Sequence, residues 1–249
     1  MKVLEMYPAV QGEGIFTGVP STFIRLAGCT VGCTWCDTKY SWRASQGTDM
    51  TPEEIYVRAK KLTTHSHVVL TGGEPLEHPQ GDVIELIRLL QTQHFVTIET
   101  SGTIPDPRSY VPQTRARDGI LWSIAPKLFS AKSTKPFPDL AGWMEAARLM
   151  GHKMQWKFVV ATRDDFDEFI RIVEDVDQGE WIDPGVVTVI LQVATNTGLK
   201  ETEKIRSQVL TDLQFYQETI VNERLLAKLP NLRILPQLHA MIYGTRRGV

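Results

Sequence analysis

Cysteine is scarce in this chain: three residues in 249, all between positions 29 and 36. An odd number on so short a stretch excludes a disulfide framework. Long apolar runs are also missing, since no uncharged stretch approaches the ~18 residues of a spanning helix. The N-terminal Met1-Lys2-Val3-Leu4-Glu5 lacks the apolar core of a secretory signal. Both observations predict a cytoplasmic protein without a membrane partner, in a reducing compartment where thiols stay free. Nor is there an excess of charge of one sign. With 27 basic and 29 acidic residues the formal charge is −2, which excludes an extended phosphate-tracking surface and with it direct nucleic-acid binding. Arg246 and Arg247 form only a small basic cluster, read as a solvated tail. There is no internal repeat and no low-complexity tract. Against this background, three thiols on one loop are better explained by a metal centre.

The length suffices for one large α/β domain with a substantial core, and 42% hydrophobic residues is ordinary for such a domain. The expectation is a single domain over residues 1–249. Strand-like and helix-like stretches alternate. Thr22 to Gly28 reads as a buried strand running into the cysteine loop. Thr51-Pro52-Glu53-Glu54 opens a helix with a capping box, and Ile55, Ala59 and Leu62 supply its apolar face. His67 to Leu70 is strand-like and ends in Thr71-Gly72-Gly73-Glu74-Pro75. Residues 82–93 have helical spacing, 95–98 and 120–124 read as strands, 156–161 as a strand and 164–176 as a helix. Residues 186–193 form a β-branched strand, 201–229 read as helical, and 232–235 as a last short strand. Segments 103–119 and 128–142 read as irregular loops. Such alternation implies right-handed βαβ units and a parallel sheet. Polar and glycine-rich clusters recur at the C-terminal ends of the strands, the edge that carries the active site in βα barrels.

Cys29-Thr30-Val31-Gly32-Cys33-Thr34-Trp35-Cys36 has the spacing Cys-x3-Cys-x2-Cys. Three thiolates can hold three irons of a cubane and leave the fourth without a protein ligand. Gly32 allows the loop to curl at positive φ. A zinc site of three cysteines with His65 or His67 fits the same residues, as do plain thiols. The spacing, placed after a first strand in a βα chain, resembles the radical SAM (S-adenosylmethionine) superfamily. That resemblance implies a 4Fe–4S cluster on Cys29, Cys33 and Cys36, SAM bound at the open iron, and a partial, modified (βα)6-type barrel of parallel strands. It places Trp35 beside the SAM adenine. It also makes the Thr71–Pro75 motif the site for the SAM methionine, where strand-end amides and carbonyls are free and glycines admit the ligand.

Further elements narrow the choice. They are Val10-Gln11-Gly12-Glu13-Gly14, Phe23 to Cys29, Asp37-Thr38, Glu99-Thr100-Ser101-Gly102-Thr103, Ser123 to Lys127, and Gln237-Leu238-His239. This set, in this order, resembles the 7-carboxy-7-deazaguanine synthase family over nearly the whole chain. The resemblance implies conversion of 6-carboxy-5,6,7,8-tetrahydropterin to 7-carboxy-7-deazaguanine with loss of ammonia, on the route to queuosine and related 7-deazapurines. One electron from a flavodoxin-like donor cleaves SAM to a 5′-deoxyadenosyl radical, which takes a hydrogen from the pterin and later returns it. Mg2+ is implied on Thr38. SAM contacts are implied for Trp35, Cys36, Asp37, Gly73, Ser101, Ser123, Lys127 and Gln192. Substrate contacts are implied for Val10, Gln11, Gly12, Glu13, Arg25, Thr71 and His239, with Arg25 suited to the carboxylate by its planar fork. A homodimer is implied as well. Ser123 to Lys127 is longer than the Ser-Pro-Lys element of some members, and the chain runs on past His239 to Val249.

Two other readings use the same loop. A radical SAM activase, abstracting hydrogen from a glycine of a partner enzyme, would need neither a pterin-reading Gln11–Glu13 nor a magnesium-binding Thr38. A zinc-stabilised binding module would need no open metal site.

Overall fold

Runs rich in β-branched and aromatic residues form nine strands among the described residues: β1 (Lys2–Val10), β2 (Pro20–Leu26), β3 (Thr48–Asp49), β4 (His67–Gly72), β5 (Phe95–Thr100), β6 (Ile120–Ile124), β7 (Lys153–Val160), β8 (Val187–Val193) and β9 (Arg233–Leu235). The helices are α1 (Pro52–Leu62), α2 (Gln80–Leu90), α3 (Leu140–Met150), α4 (Arg163–Asp177), α5 (Thr202–Asn222) and α6 (Leu238–Tyr243). The computed structural model describes residues 1–62, 66–103, 107–110, 119–177, 182–196, 198–222, 229 and 231–246. Most of the expected 103–119 loop, the end of the expected 201–229 helix, His65 and Arg247 lie outside these residues.

The strands form one sheet in the order β3-β1-β2-β4-β5-β6-β7-β8-β9. From β2 to β9 every pairing is parallel. The order is linear, with β3 and β9 at its edges, as in a partial barrel. β1 was not anticipated. It pairs antiparallel with β2 and β3, and its Glu5, Tyr7 and Pro8 blur the alternation that marks a strand. Helix α3 begins within the stretch expected to be irregular. Asp139 caps it by accepting from the Gly142 amide at 2.9 Å, and Gly151 ends it at φ 68°. The expected capping box of α1 is reciprocal: the Glu54 amide donates to Thr51 Oγ1 at 3.2 Å and the Thr51 amide to Glu54 Oε2 at 2.9 Å.

Strand side chains alternate between two faces. One packs beneath the helices, where Trp122, Trp143, Trp156, Phe158 and Phe169 are fully buried; each such side chain contributes roughly 1.5–3 kcal/mol by burial. The other face is concave and partly polar. His67 lies there with Nδ1 2.7 Å from Ser21 Oγ and Nε2 2.8 Å from Thr97 Oγ1, its ring against Phe16 and Phe95. On the helix side, Trp122 Nε1 donates to His152 Nδ1 at 3.2 Å.

Burial lowers the pKa of both histidines to about 4. The unfolded chain therefore takes up these protons first as pH falls below about 6.5, and native stability drops between pH 6.5 and 4. The expected loss by pH 4.5 is about 2–3 kcal/mol for each histidine. A denaturant midpoint that does not fall between pH 7.5 and 4.5 would contradict neutral, buried imidazoles.

Candidate active site

The cysteine loop leaves β2 at Leu26 and is pinned along its length. Gly28 takes φ 110°, its amide donates to Ser41 O at 2.8 Å, and the Cys29 amide donates to Trp42 O at 3.1 Å. Gly32 takes φ 73°, the left-handed curl its lack of Cβ permits. From outside, segment 129–135 grips the loop. The Thr34 amide donates to Ala131 O at 2.9 Å, the Thr134 amide to Val31 O at 3.1 Å, and Trp35 Nε1 to Ser130 Oγ at 2.9 Å. Ser130 is itself fixed by buried Asp165 at the start of α4, which accepts from the Ser130 amide and hydroxyl at 2.8 and 2.6 Å.

The β4 end meets the start of this loop at backbone contact. A Cβ on Gly72 would collide with the Leu26 backbone, and one on Gly73 with Gly28 O. The Gly73 amide donates to Leu26 O at 2.9 Å and the Glu74 amide to Gly28 O at 2.8 Å. These two amides are therefore not free for a ligand, contrary to the expectation from the sequence; the glycines let two strand ends approach. Glu74, 3% exposed, ties the next strand to the same place by accepting from the Ser101 amide and hydroxyl at 2.8 and 2.6 Å.

All three cysteines line a cavity of about 450 Å³ above the strand ends. Burial pushes the Cys29 thiol up to about 11 and raises that of Cys33, with Lys127 opposing at Cys33. Thiolates here therefore need a cation. Among the described residues, Glu13, Asp37 and His239 are the one set of three ligand atoms mutually within 4.8 Å. The thiol sulfurs are spread more widely. With Zn–S about 2.3 Å, a tetrahedral zinc site brings its sulfurs to roughly 3.8 Å of one another. His67, the alternative zinc ligand, has both ring nitrogens at hydrogen-bonding distance from hydroxyls. The donor set fits a multi-iron cluster better than one zinc ion.

Across the cavity, the segment after β1 meets β4, β5 and β7. Gln11 Nε2 donates to Glu99 Oε1 at 3.2 Å, Thr71 Oγ1 to Glu99 Oε2 at 2.8 Å, and Gln237 Nε2 to Glu13 Oε1 at 2.7 Å. Lys157 Nζ bonds Glu13 Oε2 and lies 4.0 Å from Glu99 Oε1. Burial pushes the Glu13 pKa up, but Lys157 and then His239 more than offset it and hold the carboxyl at about 2. Gly12 packs so closely on His239 that a Cβ would strike the imidazole. Arg25 donates from Nε to Glu5 Oε1 at 2.8 Å and from Nη2 to Tyr7 Oη at 3.0 Å, leaving the rest of its fork toward the cavity it lines. Thr38 Oγ1 lies 3.5 Å from Cys36 Sγ.

Most of the residues singled out from sequence border this one cavity, Val10, Trp35, Ser101 and Lys127 at its walls included. Ser123 and Gln192 do not. Both are fully buried: Ser123 Oγ accepts from Gln155 Nε2 at 2.7 Å, and Gln192 Nε2 donates to Leu235 O at 2.9 Å. The sequence reading gave no role to Glu74, Glu99, Gln237 or Lys157. The first three sit inside motifs already quoted. Lys157 had a signal of its own: a charge in a strand of Trp and Phe, on the opposite face from both.

A one-sided parallel sheet carrying a three-thiol loop at its C-terminal edge defines the radical SAM class, and residues 23–116 match the Radical SAM superfamily. The chain is 39% identical over 174 residues to the 7-carboxy-7-deazaguanine synthase of Pyrobaculum aerophilum, covering 70% of this chain and 72% of that one. It is 31% identical over 256 residues to the enzyme of the same name from Bacillus subtilis, covering 99% and 98%. The crystal structure of QueE from Escherichia coli superposes with a TM-score of 0.62 at 26% identity, over 96% of this chain and 94% of that one. The chain belongs to the 7-carboxy-7-deazaguanine synthase family.

Gly73→Ala places a methyl group against the Gly28 carbonyl. The expected outcome is at least a tenfold loss of iron and sulfide uptake on anaerobic reconstitution, read by absorbance near ~400 nm, with unfolding free energy lowered by about 1–3 kcal/mol from overpacking. A variant that loads like wild type would show that the two strand ends are not held this tightly.

Proposed function

We infer that this protein converts 6-carboxy-5,6,7,8-tetrahydropterin to 7-carboxy-7-deazaguanine with loss of ammonia, feeding queuosine and related 7-deazapurines. The observation that carries this is that the three-thiol loop and the Gln11–Glu13 segment open onto one cavity. An activase has no use for the second of these.

Cys29, Cys33 and Cys36 would hold the 4Fe–4S cluster, and Trp35, anchored through Ser130, would flank the SAM adenine. When bound, the cluster and SAM supply a hydrogen-abstracting carbon radical, chemistry that belongs to the cofactor. Gly73, Ser101, Lys127 and Asp37 border the cavity on the loop side and would orient SAM; Ser123 and Gln192 would act from behind the wall. The chain's work on the pterin is binding and charge control. Arg25 takes the carboxylate with the N–H groups that Glu5 and Tyr7 leave available. Ionised Glu13, with Gln11, Gly12 and Val10 beside it, accepts from the N–H groups of the aminopyrimidinone edge. Thr71 and His239 border the same space. Thr38 would contribute a hydroxyl to Mg2+, with Asp37 ordering metal-bound water. A neutral hydroxyl binds Mg2+ weakly, so metal and substrate bind together.

A flavodoxin-like protein as electron donor, a homodimer and a cytoplasmic location complete the reading, supported by family membership. No helix among the described residues is long and apolar enough to cross a membrane. One sheet running from β3 to β9 supports residues 1–249 as a single domain.

Anaerobic turnover tests the function: reduced, cluster-loaded enzyme with SAM, Mg2+ and the carboxypterin should release 7-carboxy-7-deazaguanine, identified by mass. No product from enzyme that cleaves SAM would favour the activase. In the same assay Thr38→Ala should raise the Mg2+ needed for half-maximal rate at least tenfold with unchanged colour; an unaltered Mg2+ response would remove Thr38 as a ligand.

A further inference from the structure

Lys157 is the only lysine or arginine among the buried residues described, 6% exposed on strand β7. Its ammonium bonds Glu13 Oε2 and lies 4.0 Å from Glu99 Oε1. Neutral donors also engage these carboxylates: Gln237 at Glu13 Oε1, Gln11 at Glu99 Oε1 and Thr71 at Glu99 Oε2. Two carboxylates thus share one buried lysine, and Gln155, two residues before it on β7, accepts from the Ile15 amide at 2.9 Å. A buried carboxylate stripped of its cation takes up a proton, and a protonated carboxyl is a donor as well as an acceptor. The distinction matters to any heterocycle docking against Glu13.

We propose that Lys157 is a positioning and specificity residue, which by pairing with Glu13 keeps that carboxylate a pure acceptor and so commits the pocket to a heterocycle edge presenting adjacent N–H donors. The inference rests on the pterin reading above and adds the residue that enforces it. Lys157 acts through Glu13 and donates nothing to the reacting atoms. The direction of the pKa shifts agrees: burial opposes charge on both partners, yet Glu13 is held low by Lys157 first and His239 second, and Lys157 is held high by Glu13, Glu99 and Asp37. The pair also spans elements far apart in sequence, so its loss would be felt as a change in recognition wherever the fold survives.

The test is calorimetric binding to anaerobic, cluster- and SAM-loaded enzyme without reductant, using the carboxypterin and its analogue with hydrogen in place of the 2-amino group. Wild type should prefer the amino compound. Lys157→Met should weaken carboxypterin binding at least tenfold and erase most of that preference, leaving SAM affinity and cluster absorbance unchanged. In a Glu13→Gln background Lys157→Met should change affinity by less than twofold, because the group it positions is gone. Retained preference in Lys157→Met, or a further tenfold loss in the double variant, would overturn the proposal. If Lys157→Met alone fails to load, the double variant leaves only Glu99 without the ammonium, still bonded by Gln11 and Thr71, and its comparison with Glu13→Gln decides the matter alone. A wild-type enzyme that does not bind the carboxypterin would overturn the assigned function, and this inference with it.

Discussion

The approach of the β4 end to the head of the cysteine loop sets where everything else in the site can be. Gly72 and Gly73 have no Cβ because the Leu26 and Gly28 backbones occupy that space. The amides of Gly73 and Glu74 close the contact by donating to Leu26 O and Gly28 O. From that junction the loop is carried around its turn by Gly28 and Gly32 at positive φ. Segment 129–135 then holds it against the body of the protein through Ser130 and Asp165. The thiols are placed by backbone hydrogen bonds more than by their own side-chain contacts, which suits ligands whose final geometry is set by a metal.

Electrostatics divides the cavity into two halves. On the loop side, Glu74 spends its carboxylate on Thr100, Ser101 and its own turn, a structural use that joins β4 to β5. On the far side, Glu13, Glu99 and Lys157 border the cavity together, with the lysine shared between the two carboxylates. Charged groups this deeply buried are tolerated because each is met by a partner and by several hydrogen bonds. Arg25 follows the same logic at the rim, braced by Glu5 and Tyr7 while the rest of its fork remains available.

Much of this was legible in the sequence where local chemistry decides the outcome. The Cys-x3-Cys-x2-Cys loop, the strand ending in Gly-Gly and the Thr51–Glu54 capping box each carry their own signal within a few residues. β6 was delimited to the residue for the same reason, a short β-branched and aromatic run between polar flanks. What was not legible depends on partners distant in the chain. β1 is a strand because β2 and β3 pair with it; its own Glu5, Tyr7 and Pro8 argue for little. Helix α3 was hidden behind the polar stretch before it, although Asp139 and Gly151 mark both its ends. Lys157 reads as a charge misplaced in a hydrophobic strand until Glu13, Gln237 and Glu99 are brought beside it. Ser123 and Gln192 lie behind the wall, at positions that only the packing of β7 and β9 fixes.

The central claim is that three thiols from one backbone-pinned loop leave a single iron open for SAM. Electron paramagnetic resonance of the reduced, anaerobically reconstituted protein tests it most directly, with SAM labelled by nitrogen-15 at its amino group. The account predicts a 4Fe–4S signal that shifts on adding SAM and acquires a resolved nitrogen-15 hyperfine coupling. A cluster whose spectrum ignores SAM, or a protein that assembles none, would contradict it.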